Sequence, residues 1–317
     1  MTKQKARQQK KKKRKSSKDN RLKTNLIRIF AGLFVLILLV VVAGVVTHHL
    51  ILRKKPPQPV GIQPAVWPPK FEIYPPEVEP FPKPAVKPAP GLPEKLPKVA
   101  IIIDDIGFDR KIAEKFLELN ARLTFSLLPH TSMQKSFAAK AREKGFDIML
   151  HLPMEPKEYP QVDPGAGVLL TSMSPDELIR QLKKNLDAVP GIKGVNNHMG
   201  SKMTTVSAQM YQIFTVLKQR GLFFIDSRTS PNSLCRPSAR LFQIPFAQRD
   251  VFIDHIPETD FIRRQIDHLV HIAYEQGEAV GIAHPHTLTY NVLRQMLPDL
   301  AKKVRLVPAS QVVRPIG

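Results

Sequence analysis

The sequence predicts an α/β fold for residues 98–317, a distorted (β/α) barrel of about seven parallel strands. From residue 98 onward, short strand-like runs, most of them largely apolar, alternate with longer helical patterns, which is the pattern of repeated βα units. Asp, His and Asn residues also recur where the predicted strands end, and this edge of a parallel sheet is where such folds bind ligands. About 220 residues are enough for one domain with a sizeable core.

The first predicted strand is the clearest, because Val99 to Ile103 is an unbroken apolar run of the kind buried on both faces. The predicted strands are 99–104, 123–128, 147–151, 194–196, 222–225, 251–253, 279–283 and 304–307. The predicted helices are 110–119, 133–144, one beginning near Pro175, 208–220, 261–275 and one ending near Lys303. Ser174 is a favourable N-cap before Pro175. The stretch around Cys235 is predicted to be a loop.

Three segments precede the predicted barrel, and the first two indicate a membrane anchor. Residues 1–28 form a basic head, with twelve Lys or Arg and one acid in the first 23 positions, and such a run cannot bury a core. Residues 29–47 are uncharged and apolar, long enough to cross a bilayer as a helix, and no cleavage motif follows them. The positive-inside rule therefore predicts a single-pass protein of a bacterial inner membrane, with a cytoplasmic N-terminus and a periplasmic domain.

Residues 48–97 are predicted to be a linker, since 56–97 hold 15 of the 30 prolines. Such composition favours extended polyproline II structure, which at about 3.1 Å per residue spans on the order of 100 Å. The linker is expected to hold the domain away from the membrane. The basic head is then an orientation signal, and we expect no nucleic-acid partner although the net charge is +21.

Seven strand ends carry residues that ligate metals or transfer protons. In chain order these are Asp104 with Asp105, His130, His151, Asn196 with Asn197 and His198, Asp226 with Arg228, Asp254 with His255, and His284 with His286. One such histidine would more often be structural, but core packing gives no reason for polar residues at seven successive strand ends. The pattern therefore predicts one shared site at this rim.

Carboxylates and imidazoles are the ligands of catalytic zinc and of other divalent ions. A metal-bound water, a neighbouring carboxylate as base and a histidine as acid would hydrolyse an amide or ester. Nothing indicates serine catalysis, since no Gly-x-Ser-x-Gly sequence occurs. Cys235 is the only cysteine, which excludes an internal disulfide, and no glycine-rich phosphate loop is present.

At these residues the chain resembles the polysaccharide deacetylase superfamily (NodB-homology, carbohydrate esterase family 4). It is most similar to the branch called divergent polysaccharide deacetylases, because HLPMEP, NNHMGSK and IDSRTS follow the first motif in the right order. The resemblance covers about residues 98–313. It implies a distorted barrel and metal-dependent removal of N- or O-acetyl groups from carbohydrate, with zinc the expected ion.

The resemblance also implies roles for single residues. Asp104 matches the general base, Asp105 and His151 match metal ligands, and His284 matches the general acid. Glu155 stands where the family has its second metal histidine, so the third ligand is either Glu155 or a residue from elsewhere, with His198 the first choice. The arginine that would orient the catalytic aspartate is missing. The remaining rim residues are expected to bind substrate: Glu155, Asn197, Asp226, Arg228 and His286.

Two hypotheses of different classes follow. The first is a membrane-anchored, metal-dependent hydrolase that acts on an envelope glycan. The second is a glycan- or protein-binding scaffold that keeps the barrel and has lost turnover, which the missing arginine and second histidine favour. Asp104, Asp105, His151 and His284 favour the enzyme, because a scaffold needs no base and acid beside a metal. Asp104→Asn discriminates them, since it should abolish turnover and leave binding intact.

Overall fold

The structure is a computed structural model that describes residues 34, 36–42 and 96–316. Residues 34 and 36–42, within the predicted membrane segment, are helical. The rest of that segment, the basic head and nearly all of the linker lie outside the described residues. Among the residues that are described, no helix has the length and apolar character needed to cross a membrane.

Residues 96–316 alternate strands and helices in the predicted order. The strands are β1 (Lys98–Ile106), β2 (Thr124–Leu127), β3 (Asp147–Met154), β4 (Gly194–Met199), β5 (Phe223–Asp226), β6 (Phe246–Gln248), β7 (Val251–Phe252), β8 (Glu278–Ala283) and β9 (Arg305–Leu306). The α-helices are α1 (Arg110–Leu117), α2 (Gln134–Glu143), α3 (Pro175–Ala188), α4 (Ser207–Gln219), α5 (Cys235–Phe242), α6 (Thr259–Gln276) and α7 (Thr287–Lys303).

One parallel sheet contains all nine described strands, in the order β6-β5-β4-β3-β2-β1-β8-β7, with β9 beside the start of β1. The outermost strands β6 and β7 are consecutive in the chain and are separated only by Arg249 and Asp250. Since an extended chain spans at most about 3.6 Å per residue, the two sheet edges lie within about 11 Å of each other. The sheet is therefore curved into an incomplete barrel, consistent with the predicted distorted barrel.

The two residues of this crossing bind both edges of the sheet. The Arg249 amide donates to the Asp226 carbonyl at the end of β5 (2.9 Å), and the Asp250 amide donates to Val280 in β8 (2.9 Å). The Arg249 side chain donates to the carbonyls of Ser227 (2.7 Å) and Arg228 (3.1 Å). These bonds hold the crossing against the end of β5 and against β8, the neighbours of the two edge strands.

Alternation along the strands separates two apolar cores. Val99, Ile101 and Ile103 of β1 face the helices, together with the larger cluster of buried residues. Ala100 and Ile102 face the barrel interior, where a smaller cluster is closed from below by Val307, Ala309 and Val312 after β9. The interior is thus packed with apolar side chains at the bottom, and Asp104 follows on the same face toward the top.

The observed helices and strands confirm most of the predicted elements, but the region around Cys235 differs from its prediction. Ser174 caps α3 with a full capping box, in which the Glu177 side chain accepts from the Ser174 amide. The loop expected around Cys235 is wrong, because Cys235 begins α5 and is fully buried. Pro237 in the first turn of α5 obscured the helix, although this position tolerates proline because its amide needs no intrahelical acceptor.

Candidate metal centre and its surroundings

The end of β1 presents two adjacent carboxylates to the barrel interior, which regular strand geometry does not allow. Successive side chains of a strand point to opposite faces. Asp105, however, has a left-handed backbone (φ 54°), and the β1–β2 register shifts between Ile103 and Ile106. Asp104 and Asp105 are therefore both inside and only 2% exposed. A left-handed aspartate is uncommon, and such strain concentrates at functional sites.

Asp105 meets a histidine from each of two neighbouring strands, His151 of β3 and His198 of β4. Its Oδ1 lies 3.2 Å from His151 Nε2 and 3.1 Å from His198 Nδ1, and the two nitrogens lie 3.1 Å apart. A tetrahedral ion with bonds of about 2.0–2.1 Å holds its ligand atoms about 3.3 Å apart. The three atoms, which we call the Asp105 triad, are therefore spaced to bind one divalent ion.

The chemistry of Asp105 fits a cation as well as the spacing does. Both carboxylate oxygens are buried, and neither has a hydrogen-bond partner among the described residues. A buried carboxylate without donors is costly, so a positive charge is the expected compensation. Burial alone would raise the pKa of Asp105, but His198 and His151 hold that pKa well below its usual range.

Asp104 lies beside the triad but is held differently. Its Oδ2 is 3.6 Å from His151 Nε2, and both of its oxygens accept from Asn196 Nδ2 at 2.9 Å. Burial raises the pKa of Asp104, although His151, His284 and Asn196 oppose the shift. Two adjacent carboxylates thus differ, and the one with the raised pKa is the better proton acceptor near neutral pH.

His284, which follows β8, forms a second buried pair with Asp254, which follows β7. Its Nδ1 lies 2.9 Å from Asp254 Oδ1, and Asp254 Oδ2 accepts from the His284 amide (2.7 Å) and from Thr289 Oγ1 (2.8 Å). Burial lowers the pKa of His284, but Asp254 outweighs it and raises that pKa to about 9. The ring is therefore protonated at neutral pH and can donate a proton from Nε2.

His286 completes a second Asp/His cluster with this pair. Both oxygens of Asp254 already accept hydrogen bonds, whereas both oxygens of Asp105 lack donors. The carboxylate of this second cluster is thus already bonded to His284 and Thr289, and the Asp105 triad is the better candidate for a metal.

The structure brings His198, and not Glu155, to Asp105 and His151. Glu155 accepts from Lys202 Nζ (2.6 Å) and Thr171 Oγ1 (2.7 Å), and it belongs to neither described group of possible metal ligands. These bonds and the positive charge of Lys202 hold the pKa of Glu155 below its usual value, although burial raises it. Glu155 therefore fixes the chain after β3 to the chain after β4.

The other residues expected to bind substrate hold the loops after β4 and β5. The Asn197 side chain donates to the Met199 carbonyl (2.8 Å) and accepts from the Ser227 amide (2.9 Å). Asp226 accepts from the Arg228 amide (2.8 Å) and Ser233 Oγ (2.7 Å), and burial raises its pKa. The Arg228 side chain is more exposed and reaches Gln248 (3.4 Å).

The long stretch after Glu155 forms a fixed wall. Leu169 is fully buried and bridges to Met154 at the end of β3. Asn185 of α3 donates to the Gly167 carbonyl (2.7 Å) and lies 2.9 Å from His130 Nε2. The predicted rim residue His130 therefore anchors this wall and belongs to neither group of possible metal ligands.

Sequence reasoning gave no role to Asn196 or Asp254, although both were among the strand-end residues. Asn196 precedes His198 by two residues in β4, so strand alternation places both on the interior face. Asp254 follows β7, the neighbour of β8, so its distance to His284 depends on strand order. Alternation could have identified Asn196, but nothing local in the sequence indicates that β7 pairs with β8.

Comparisons with known proteins agree with this architecture. Residues 101–313 match the sequence model of the divergent polysaccharide deacetylase family. Uncharacterized protein YibQ of Escherichia coli K12 is 32% identical over 216 residues, which cover 68% of this chain and 67% of YibQ. An uncharacterized protein of Haemophilus influenzae is 30% identical over 217 residues, covering 68% and 77%.

A solved structure shares the fold. The crystal structure of uncharacterized protein ATU2773 from Agrobacterium tumefaciens C58 superposes with a TM-score of 0.67 at 24% sequence identity. The match covers 71% of this chain and 92% of that protein. At this identity the likeness concerns the curved parallel sheet and its helices.

Proposed function

The chain belongs to the divergent polysaccharide deacetylase family, and from that premise we propose that it is a metal-dependent hydrolase that removes acetyl groups from an envelope carbohydrate. The observation that carries the proposal is the Asp105 triad, in which a buried carboxylate without donors meets two imidazole nitrogens at 3.1–3.2 Å. Asp104 beside the triad and His284 on the adjacent strand supply the base and the acid that hydrolysis needs.

When bound at the triad, a divalent ion such as zinc would lower the pKa of a water ligand toward about 7 and polarise the acetyl carbonyl. Asp104 would accept the proton of the attacking water, since it is ionisable, lies next to the triad and is not part of it. His284 would donate a proton to the departing amine or hydroxyl. Its Nδ1 is bonded to Asp254, so the proton would leave from Nε2.

The proposal includes a location. The apolar segment 29–47 and the basic residues before it support an inner-membrane anchor that leaves the domain in the periplasm, where envelope glycans lie. Protease added to spheroplasts should digest the domain from outside and leave the N-terminal head protected. Digestion that requires lysis of the cells would refute the periplasmic location.

Metal content is the first test of the site. We expect the full-length chain to carry about one equivalent of zinc, and Asp105→Ala, His151→Ala and His198→Ala each to lose it, since each removes one of three protein ligands. Glu155→Ala is the control, because this buried carboxylate lies nearby and binds Lys202 instead. A wild-type chain that folds and binds no metal would refute the hydrolase mechanism.

Acetyl release from N- and O-acetylated glycans then tests turnover. Asp104→Asn should keep the zinc and lower kcat by about 10²–10⁴, the usual contribution of a general base. Zinc binding without acetyl release, combined with glycan binding that Asp104→Asn leaves unchanged, would support the scaffold hypothesis instead.

A further inference from the structure

The side chain of Asn196 lies at the centre of a fully buried network that joins the two halves of the site. Its Nδ2 donates to both oxygens of Asp104 at 2.9 Å and to Ser227 Oγ at 3.3 Å. Its Oδ1 accepts from Ser126 Oγ at 2.5 Å and lies 3.0 Å from His151 Nδ1. An asparagine amide has two donor hydrogens and two acceptor lone pairs, so all four are used.

Asp104 decides which way this amide points. A flipped amide would direct its oxygen at the carboxylate of Asp104, and two buried acceptors would then face each other without a proton. The –NH₂ group must therefore face Asp104, which leaves the oxygen facing Ser126 and His151.

The orientation of the amide in turn decides the tautomer of His151. Because Asn196 Oδ1 can only accept, His151 Nδ1 must carry the hydrogen, and in the neutral ring Nε2 then keeps its lone pair. Nε2 is the atom that lies 3.2 Å from Asp105 Oδ1 and 3.1 Å from His198 Nδ1. A residue that bonds the far nitrogen of a metal-binding histidine in this way fixes both ring orientation and tautomer.

We infer that Asn196 is a positioning residue that couples the proton-accepting carboxylate of Asp104 to the metal-binding nitrogen of His151. This inference rests on the proposed function and deepens it. The same amide donates hydrogen bonds to Asp104 and so orients it. The arginine that would orient this aspartate is missing from the chain. One buried side chain thereby serves the base and the metal ligand together.

Two substitutions separate the tasks. Asn196→Leu keeps the size but removes both donor and acceptor, so zinc affinity should fall about 10–100-fold. Asn196→Asp keeps an acceptor for His151 and replaces the donor group that faces Asp104 with a carboxylate oxygen, so that the two carboxyl groups share one proton. We expect zinc affinity no weaker than wild type and a kcat about 100-fold lower, since the shared proton occupies the base.

The measurements use the full-length chain: zinc affinity by competition with a chelator, and the visible absorption of the cobalt-loaded protein, which reports ligand geometry. The control is Asn185→Leu, which removes another fully buried asparagine amide, bonded to Gly167 and not to the triad. Its zinc affinity and cobalt spectrum should match wild type, so a loss caused by any buried amide would be recognised.

The outcomes distinguish this inference from the function on which it rests. If wild type binds zinc and Asn196→Leu binds it as tightly with an unchanged cobalt spectrum, the inference is refuted and the proposed function stands. Equal loss of zinc in Asn196→Leu and Asn196→Asp would also refute it, since the retained acceptor should preserve His151. A wild-type chain without zinc affinity would overturn both.

Discussion

Asp254→Asn tests the assignment of His284 as the acid, because it removes one charge and leaves a side chain of the same shape. Asp254 and His284 are each 4% exposed, so solvent screens their interaction weakly. The pKa of His284 rises from 6.5 to about 9 in the folded chain. Burial lowers this pKa, and Asp254 is the main group that raises it. At about 1.4 kcal/mol per pKa unit, this rise corresponds to about 3 kcal/mol in favour of the charged ring.

The sign of the stability effect follows from the raised pKa. The contribution of the pair to the free energy of unfolding is fully present below about pH 6.5 and is lost as the pH rises through about 9. In Asp254→Asn the pKa of His284 should fall toward its usual value, because burial is then opposed only by the smaller effects of Asp105 and Asp104. The loss of stability between pH 7 and 9.5 should therefore be smaller in the variant.

Two assays on the metal-free chain measure these effects: NMR titration of the His284 ring proton and urea unfolding from pH 6 to pH 10. Asp226→Asn is the control, since Asp226 is a buried aspartate that bonds Ser233 and Arg228 rather than a histidine. A His284 that titrates near 9 in Asp254→Asn, or near 6.5 in wild type, would refute the reasoning.

Three further predictions concern other parts of the site. Phe108→Ala should raise KM several-fold with little change in kcat, because this 56% exposed ring in the loop after β1 offers apolar surface to a carbohydrate. An unchanged KM would exclude this contact. Gly167→Ala should lower the free energy of unfolding, measured in urea, by about 1–3 kcal/mol. The reason is that Gly167 has a φ of +84° and an added Cβ would collide with Asn185 Oδ1. Full stability would mean that the segment after Glu155 can shift. Glu155→Gln should lower Tm, because it weakens the bond to Lys202, and it should leave zinc bound, because Glu155 is not part of the Asp105 triad. Loss of zinc would indicate that Glu155 is a ligand.

The order of elements and the site at the strand ends could be predicted because both depend on local pattern. Short strand-like runs identified eight of the nine described strands, and one βα unit after another indicates a parallel sheet. β6 was missed because three residues give too short a pattern. β3 continues past its predicted end at His151. The prediction ended too early because proline usually interrupts a strand, whereas Pro153 lies within β3.

The geometry of the site could be predicted only in part. Strand alternation places His198 on the same face as Asn196, but it places Glu155 on the same face as His151 as well, so it could not decide which of them is the third ligand. The left-handed backbone of Asp105 and the bulge beside it carry no clear local signal, because an Asp-Asp pair also suits a helix cap. Pairing of Asp254 with His284 requires the strand order, which depends on contacts between residues far apart in the sequence.

The two-residue crossing at Arg249 and Asp250 has a consequence for how wide the mouth of the barrel can open. The Asp105 triad comes from β1, β3 and β4, whereas the acid pair follows β7 and β8, so the two groups sit on opposite sides of the β1–β8 ladder. On the far side, this crossing ties them together, and so does Arg314, whose backbone bridges to Phe246 of β6 and whose side chain bonds Glu278 of β8. The paired strands β1 and β8 keep the acid beside the metal ligands, so the crossing limits only how far the opposite side of the mouth can open. We expect one inserted residue there to change which leaving groups are accepted while every ligand stays in place.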